Sequence, residues 1–138
     1  MRLADKVAII TGATGDIGAC TAKKFLDEGA KVVLAGRSEE KLQTVAAELN
    51  AGDRVKFFAG DVSNEADVAS LVDITINHYG RLDVMFANAG TEGKTAPLEE
   101  QTQEDFTKVL NTNVIGVWLS IKFAAKAMRA NNGDSSII

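Results

Sequence analysis

Cysteine, histidine and proline each occur only once among the 138 residues of this chain. The lone Cys20 cannot form an intrachain disulfide, and its place in a predicted helix indicates a small buried residue in a reducing compartment, of which the cytoplasm is the simplest case. The lone His78 excludes a histidine metal cluster and a Ser-His-Asp nucleophile system. We therefore expect neither a disulfide framework nor a metal site.

Long apolar runs and clusters of basic residues are also missing. Met1 is followed at once by a charged segment and a short apolar run, so we expect no export signal and no membrane span, which would need roughly 18 apolar residues. The formal net charge is −4, and Lys and Arg are scattered along the chain. Nucleic acids and anionic membranes require a clustered basic surface, so neither is predicted as a partner.

Short apolar runs alternate with helical patterns along the whole chain. The runs are apolar at consecutive positions, as strands covered on both faces of a parallel sheet require. They predict strands at 6–11, 31–36, 54–60 and 82–87, and the beginning of a fifth strand at 135–138. The composition, 46% hydrophobic and 25% charged, is that of one globular domain over residues 1–138.

Apolar residues at spacings of three and four predict the helices between these strands. The stripes comprise Leu42, Val45, Ala46 and Leu49; Val68, Leu71, Val72, Thr75, Ile76 and Tyr79; and a longer helix over 106–129 that is broken only at Gly116. Ser38 suits an N-cap, while Gly29, Gly52 and Gly80 stand where helices should end. With right-handed crossovers, the order predicts an α/β fold: a doubly wound parallel sheet with strand order 3-2-1-4-5, truncated at the fifth strand.

A glycine-rich loop follows the first predicted strand directly. It reads Thr11-Gly12-Ala13-Thr14-Gly15-Asp16-Ile17-Gly18. Three glycines allow a tight turn and a close approach of ligand to backbone. The free N–H groups at the start of the next helix stabilise a phosphate group without a cationic side chain. The loop therefore predicts a pyrophosphate site, with a ligand-free strand-to-helix turn as the alternative.

This loop resembles the Thr-Gly-x-x-x-Gly-x-Gly motif of the short-chain dehydrogenase/reductase family. Three further segments match that family in order: Asp61-Val62 resembles its adenine-contacting Asp-Val, Asn88-Ala89-Gly90 resembles its Asn-Ala-Gly motif, and Asn113 resembles its proton-relay asparagine. The resemblance spans residues 6 to 138 and implies a Rossmann-type fold that binds NAD(P). The cofactor-binding residues that it implies are Thr11, Gly12, Thr14, Gly15, Asp16, Ile17, Gly18, Asp61, Val62, Asn88, Ala89 and Gly90, and the one catalytic residue is Asn113.

Two residues depart from the family pattern. Asp16 stands where the family usually has its second motif glycine, so its carboxylate would repel a pyrophosphate and weaken binding. The alternative, which we favour, is that Asp16 caps the first turn of the following helix, with its side chain pointing to solvent or to backbone N–H groups. Ala87 replaces the first residue of the common Asn-Asn-Ala-Gly, which leaves one fewer polar side chain at the end of that strand.

The end of the second strand bears on which cofactor is bound. NAD-binding versions of this fold place an acid there to bind the ribose 2′-hydroxyl, and this chain has Gly36 at that position. The next residue, Arg37, can pair with a 2′-phosphate through two charge-assisted hydrogen bonds. The sequence therefore favours NADP(H) over NAD(H), with a solvated arginine as the alternative interpretation of Arg37.

Most of the family's catalytic set has no counterpart here. The family uses a serine at the far end of the fifth strand and a Tyr-x-x-x-Lys on the next helix, whereas Ser135 and Ser136 lie at the start of that strand and Tyr79 is followed four positions later by Asp83. The resemblance thus covers about the first half of a family member. It implies an oxidoreductase whose complete chain moves hydride between NADP(H) and a small carbonyl or alcohol, while residues 1–138 alone are expected to be inactive.

A non-catalytic dinucleotide-binding or structural module, complete as it stands, is the alternative function. The helix predicted over 106–129 bears apolar residues on more than one face, as an interface helix would. We therefore expect a homo-oligomer in the full-length form. The irregular segment 91–103, which contains the single Pro97, is expected to border the ligand crevice.

Overall fold

The computed structural model describes residues 1–138 as five parallel strands with helices on both faces. The strands are β1 (Val7–Thr11), β2 (Lys31–Gly36), β3 (Val55–Ala59), β4 (Val84–Phe86) and β5 (Ser136–Ile137). They lie in the order β3-β2-β1-β4-β5, which confirms the predicted doubly wound fold. Most strands are one to three residues shorter than predicted. Hydrogen bonds continue past β4, since the Asp83 N–H donates to Val7 O and the Ala87 N–H donates to Ile138 O.

Five α-helices connect or flank these strands. They are α1 (Asp16–Asp27), α2 (Glu39–Leu49), α3 (Glu65–Tyr79), α4 (Gln103–Leu110) and α5 (Gly116–Met128). A π-helical turn, Asn111–Ile115, joins α4 to α5, so the predicted break in the last helix falls just before Gly116 rather than at it. The glycine serves packing instead, because a Cβ there would lie 2.7 Å from Cγ2 of Val62.

The helix boundaries follow local side-chain chemistry. Ser38 caps α2 as predicted, with its Oγ accepting a hydrogen bond from the Lys41 N–H at 3.3 Å. Gly29 and Gly80 have φ angles of 92° and 80° after α1 and α3, the left-handed conformation in which helices commonly end. The prediction for Gly52 is wrong, because α2 ends at Leu49 and Asn50 caps it with φ 45°, a conformation that Asn tolerates.

Two apolar layers cover the sheet. Consecutive residues of β1 belong to different layers: Ile10 packs with Leu34 and Leu42 beneath α1 and α2, whereas Ile9 packs with Val33 and Met85 beneath α3 and α5. Adjacent side chains of a strand point to opposite faces, so a run of consecutive apolar residues fills both layers. Burial of one such side chain stabilises the fold by roughly 1.5–3 kcal/mol.

Cys20 is exposed, which corrects its predicted burial. The buried residues of α1 are Gly18, Ala22 and Leu26, spaced at four residues along one face. Cys20 lies two residues from Gly18 and so points the opposite way, since each residue turns the helix by about 100°. None of the helices combines the length and the apolar character that a membrane-spanning helix requires, and no group of three His, Cys, Asp or Glu side chains is arranged to hold a metal ion.

The parallel strands all begin at one side of the sheet, which we call its amino edge. A buried carboxylate there, that of Asp83, is 1% exposed. Its Oδ2 accepts hydrogen bonds from the Val7 N–H at 2.9 Å and from Arg81 Nε at 2.8 Å, and Lys6 Nζ lies 3.4 Å from its Oδ1. Burial raises the pKa of Asp83, but the hydrogen bonds from Arg81 and Val7 lower it more, so the pKa lies below the ordinary 3.8. The charge ties β1 to β4 at this edge.

Candidate functional site

A cleft of about 830 Å³ opens at the carboxyl ends of the strands. The chain leaves β1 toward one side of the sheet and resumes at β4 on the other, and such a switch point is where open α/β sheets bind ligands. The lining comes from the loops after β1, β2, β3 and β4 and from one side of α4. Only three of its 22 lining residues are hydrophobic, so the cleft suits a polar ligand.

The structure gathers nearly all of the predicted site residues in this one cleft. Those that line it are Gly12, Thr14, Gly15, Asp16, Ile17, Gly18, Arg37, Asp61, Val62, Asn88, Ala89 and Gly90. Thr11 and Asn113 are the two predicted residues outside the lining. Segments separated by up to about 80 positions in the chain therefore meet at one edge of the sheet, as parallel strands require.

Thr11 and Asn88 hold the loops after β1 and β4 together. Thr11 is 1% exposed, and its Oγ1 accepts a hydrogen bond from the Ala89 N–H at 3.0 Å. Asn88 Nδ2 donates to the carbonyl oxygens of Thr11 at 3.0 Å and Gly12 at 3.3 Å. Their polar atoms are thus used in positioning the two loops that form the floor of the cleft.

The three glycines of this loop have different reasons to be glycine. Gly12 has φ 63°, and a Cβ there would lie 2.9 Å from Cα of Ala89. A Cβ on Gly18 would overlap the carbonyl oxygen of Gly12. Gly15 has an ordinary extended conformation, and its Cβ would meet only Gly12 O, at 3.5 Å. Packing of the protein alone explains the first two, whereas Gly15 keeps the mouth of the cleft clear.

The N–H groups at the start of α1 face this clear space. Gly15 is the N-cap, and no side chain caps the helix. The N–H groups of Asp16, Ile17 and Gly18 donate to no acceptor elsewhere in the chain, while the Ala19 N–H makes the first helical bond, to Gly15 O at 2.9 Å. Unpaired donors at the positive end of a helix bind anions.

The capping role predicted for Asp16 is wrong. Asp16 is the first residue inside α1, and its exposed side chain accepts no hydrogen bond. A capping side chain belongs to the residue before the helix, from which it reaches N–H groups two or three residues on. Gly15 occupies that place, so the Asp16 carboxylate remains unpaired at the mouth of the cleft.

Arg37 and Asp61 lie on the adjoining wall. Arg37 is exposed directly after Gly36, the last residue of β2, and no carboxylate pairs with it. Asp61 Oδ1 accepts hydrogen bonds from the N–H of Ser63 at 2.9 Å and from its hydroxyl at 2.8 Å. These bonds lower the pKa of Asp61, and the nearby positive charge of Arg37 lowers it further. Asp61 is therefore fixed and ionised, while the Arg37 guanidinium keeps its donors free.

Asn113 lies in the π-helical turn beside the cleft. Its Oδ1 accepts a hydrogen bond from the Thr91 N–H at 2.8 Å, and its Nδ2 donates to Thr91 O at 2.9 Å. Both polar atoms of its side chain are used in this pair, so the side chain anchors the segment after Gly90 to the helix. Asn113 is a positioning residue in this geometry.

Sequence reasoning missed one wall of the cleft. The lining residues outside any predicted part of the site include Ser63, Asp105, Lys108, Asn111 and Thr112, whereas Thr91, Gly93 and Lys94 belong to the segment that was expected to border the crevice. Asn111 and Thr112 lie three and four positions after Lys108, so both are on the helix face of Lys108. That polar face, opposite the apolar residues of the same helical stretch, was the signal that could have found this wall.

Ser136 and Tyr79, which the family motifs brought into question, lie away from the cleft. The Ser136 N–H donates to Asp83 O at 2.8 Å, which places Ser136 at the amino edge of the sheet. The Tyr79 hydroxyl donates to Asp53 O at 2.8 Å, at the end of α3. Burial, and to a lesser degree Asp53, raises the pKa of Tyr79 to about 12, so Tyr79 is a poor proton donor as well as a distant one.

Comparison with known proteins agrees with this geometry. The family model described as short chain dehydrogenase matches residues 6–138. Momilactone A synthase of Oryza sativa subsp. japonica is 44% identical over 128 residues, which are 92% of this chain and 46% of that protein. Short-chain dehydrogenase reductase 3a of Arabidopsis thaliana is 39% identical over all 138 residues, or 53% of its length. The chain thus spans about half the length of the curated relatives it matches.

A solved structure extends the agreement to three dimensions. The short-chain dehydrogenase/reductase SDR:Glucose/ribitol dehydrogenase from Brucella melitensis superposes with a TM-score of 0.92 at 28% sequence identity, over 99% of this chain and 56% of that one. Proteins of this family use NAD(P) as cofactor. From its matched residues and its strand order, this chain belongs to the short-chain dehydrogenase/reductase family.

Proposed function

We propose that the cleft binds NADP(H), with the pyrophosphate at the start of α1. The observation that carries this proposal is the combination at Gly15 of open space and three unpaired N–H donors from Asp16, Ile17 and Gly18. Backbone donors at a helix start bind phosphate oxygens without any cationic side chain. Gly12 and Thr14 line the same loop.

The adenosine end of the cofactor would lie between the loops after β2 and β3. Arg37 has no carboxylate partner and offers two parallel donors to a 2′-phosphate. Gly36 leaves room where an acid would repel that group. Asp61 and Val62 form the neighbouring wall and would contact the adenine ring, and Asn88, Ala89 and Gly90 would border the nicotinamide half. NAD(H) is the weaker ligand in this arrangement.

The proposed activity of the complete protein is hydride transfer between NADP(H) and a small-molecule carbonyl or alcohol. The nicotinamide supplies the hydride chemistry when bound. Residues of this chain orient the cofactor and hold the cleft loops in place, with Asn113 anchoring the segment that begins at Thr91. Proton transfer to the substrate oxygen requires an acid within hydrogen-bond reach, and Tyr79 is too far from the cleft to serve.

A titration and an assay test this function. NADPH should bind to the protein with higher affinity than NADH. A cofactor-absorbance assay should show no turnover by residues 1–138 alone, but turnover by a chain extended through a Tyr-x-x-x-Lys helix. Loss of a positioned acid or base lowers a rate by about 10² to 10⁴. Equal turnover by both chains would contradict the division of roles, and binding without turnover by either would favour a non-catalytic dinucleotide-binding module.

We also propose that the protein is a homo-oligomer joined through α4 and α5. Exposed apolar side chains follow one another along these helices: Phe106, Leu110, Val114, Trp118 and Ile121. The first turn of α4 is acidic, whereas Lys122 and Lys126 lie toward the end of α5. Two antiparallel copies would bring the acidic start of one against the basic end of the other, as a two-fold interface allows. Val114→Glu should yield monomers in light scattering.

An exposed free thiol at Cys20 favours a reducing compartment, so we propose a cytoplasmic location. The formal net charge of −4 supports a protein that binds neither nucleic acid nor an anionic membrane. Fractionation of cells that produce the protein tests the location, since recovery with a membrane or exported fraction would contradict it.

A further inference from the structure

We infer that Asp16 sets the cofactor affinity of this site by competing with the pyrophosphate for the start of α1. The inference rests on the proposed function. Asp16 occupies the first position of the helix, lines the cleft and is exposed. An acid at this place interacts favourably with the positive end of the helix dipole, and a bound pyrophosphate would use the same positive end.

Among the acids that line the cleft, Asp16 is the one whose carboxylate has no partner. Three acids line it, and two of them are engaged: Asp61 with Ser63, and Asp105 with the Thr102 N–H, with Lys94 Nζ at 3.8 Å. Asp16 forms neither a salt bridge nor a hydrogen bond with any residue of the chain. Its repulsion of a pyrophosphate is therefore offset by no neighbouring cation at close range.

Geometry distinguishes this repulsion from a steric effect. Gly15 leaves the approach to the three N–H donors open, and Asp16 follows it with a side chain that nothing restrains. The carboxylate can turn away from a ligand, but it remains at the same helix turn as the phosphate oxygens. Repulsion between exposed charges extends over a Debye length, about 10 Å at 0.1 M salt, so turning away relieves only part of it.

The test compares variants that separate charge from shape. NADPH titrations of the wild type, Asp16→Asn and Asp16→Glu, monitored by nicotinamide fluorescence, should show about three- to tenfold tighter binding for Asp16→Asn at low salt. Asp16→Glu keeps the charge and should bind like the wild type. Asp27→Asn removes an equal charge at the far end of α1 and serves as the control. The gain of Asp16→Asn should shrink as salt rises.

A second ligand locates the effect within the cofactor. Adenosine 2′-monophosphate lacks the pyrophosphate, so its affinity should be the same for the wild type and Asp16→Asn. If wild type binds NADPH and Asp16→Asn binds it no tighter, or if the gain persists unchanged at high salt, the inference is overturned while the proposed function stands. If neither protein binds NADPH, the proposed function fails and the inference fails with it.

Discussion

The two ends of the parallel strands, at the amino edge and the carboxyl edge of the sheet, are built in opposite ways. At the amino edge, the buried carboxylate of Asp83 interacts with donor groups of Val7, Arg81 and Lys6, so its polar atoms are satisfied. At the carboxyl edge, the loops after the strands meet around an open cleft in which backbone N–H groups and the Asp16 carboxylate have no partner. Satisfied polar groups stabilise a fold, whereas unsatisfied ones at a concave surface are available for a ligand.

The largest expected effect comes from removing the Asp83 carboxylate at the amino edge. Asp83→Ala should lower the free energy of unfolding by about 3 kcal/mol, because the Val7 N–H loses its buried acceptor and Arg81 loses its partner. Urea denaturation measures the change. The matched control is Asp27→Ala, whose pair with Lys23 is exposed and whose loss should leave the urea midpoint nearly unchanged. Equal effects of the two substitutions would contradict the special role of the amino edge.

At the carboxyl edge, where the cleft opens, Gly12 and Gly15 provide the sharper comparison. Gly15→Val should leave the fold intact and weaken NADPH binding by roughly 30-fold or more, because the added side chain projects into the space before the N–H donors. Gly12→Val should lower stability as well as binding, since it would strain a φ of 63° and press on Ala89. Urea denaturation and NADPH titration of both variants distinguish these outcomes. Undiminished NADPH affinity in a folded Gly15→Val would contradict the site.

A smaller effect is expected at the adenosine end of the cleft. Arg37→Leu should weaken NADPH binding about tenfold and leave NADH binding nearly unchanged, because only the former has a 2′-phosphate to pair with the guanidinium. Arg54, whose Nη1 donates to Leu26 O at 2.8 Å, lies outside the cleft lining, and Arg54→Leu is a suitable control for loss of charge. Equal loss of affinity for both cofactors in Arg37→Leu would remove the basis for selectivity.

The smallest expected effect is the loss of stability at low pH that follows from protonation of Asp83 at the amino edge. The pKa of Asp83 is below 3.8 in the folded protein, so its contribution to stability is fully present above about pH 4–5 and is lost as the pH falls through the lower folded value. Asp83→Asn carries no charge to titrate. Urea midpoints between pH 6 and pH 3 should therefore fall less steeply for Asp83→Asn than for the wild type, and parallel curves would contradict the assignment.

Local pattern predicted the strands, the helices and most of the site, because apolar spacing, capping residues and glycine loops act over a few residues. It failed where the outcome depends on packing against distant segments or on the exact residue at which a helix begins. The exposure of Cys20 depended on which face of α1 packs, and the cap of α1 depended on the conformation of Gly15. The lining from Lys108 and Thr112 depended on how the π-helical turn presents α4 to the sheet.

The sequence by itself determined that a parallel α/β sheet would form with a glycine-rich turn after its first strand, since those features follow from the order of apolar runs and from backbone freedom at glycine. Only the tertiary structure decided which glycine leaves space for a ligand and that Asp16 goes unpaired. It also decided that Asn113 holds Thr91. Each of these depends on atoms far apart in the chain, whose distances are set when the strands and helices pack together.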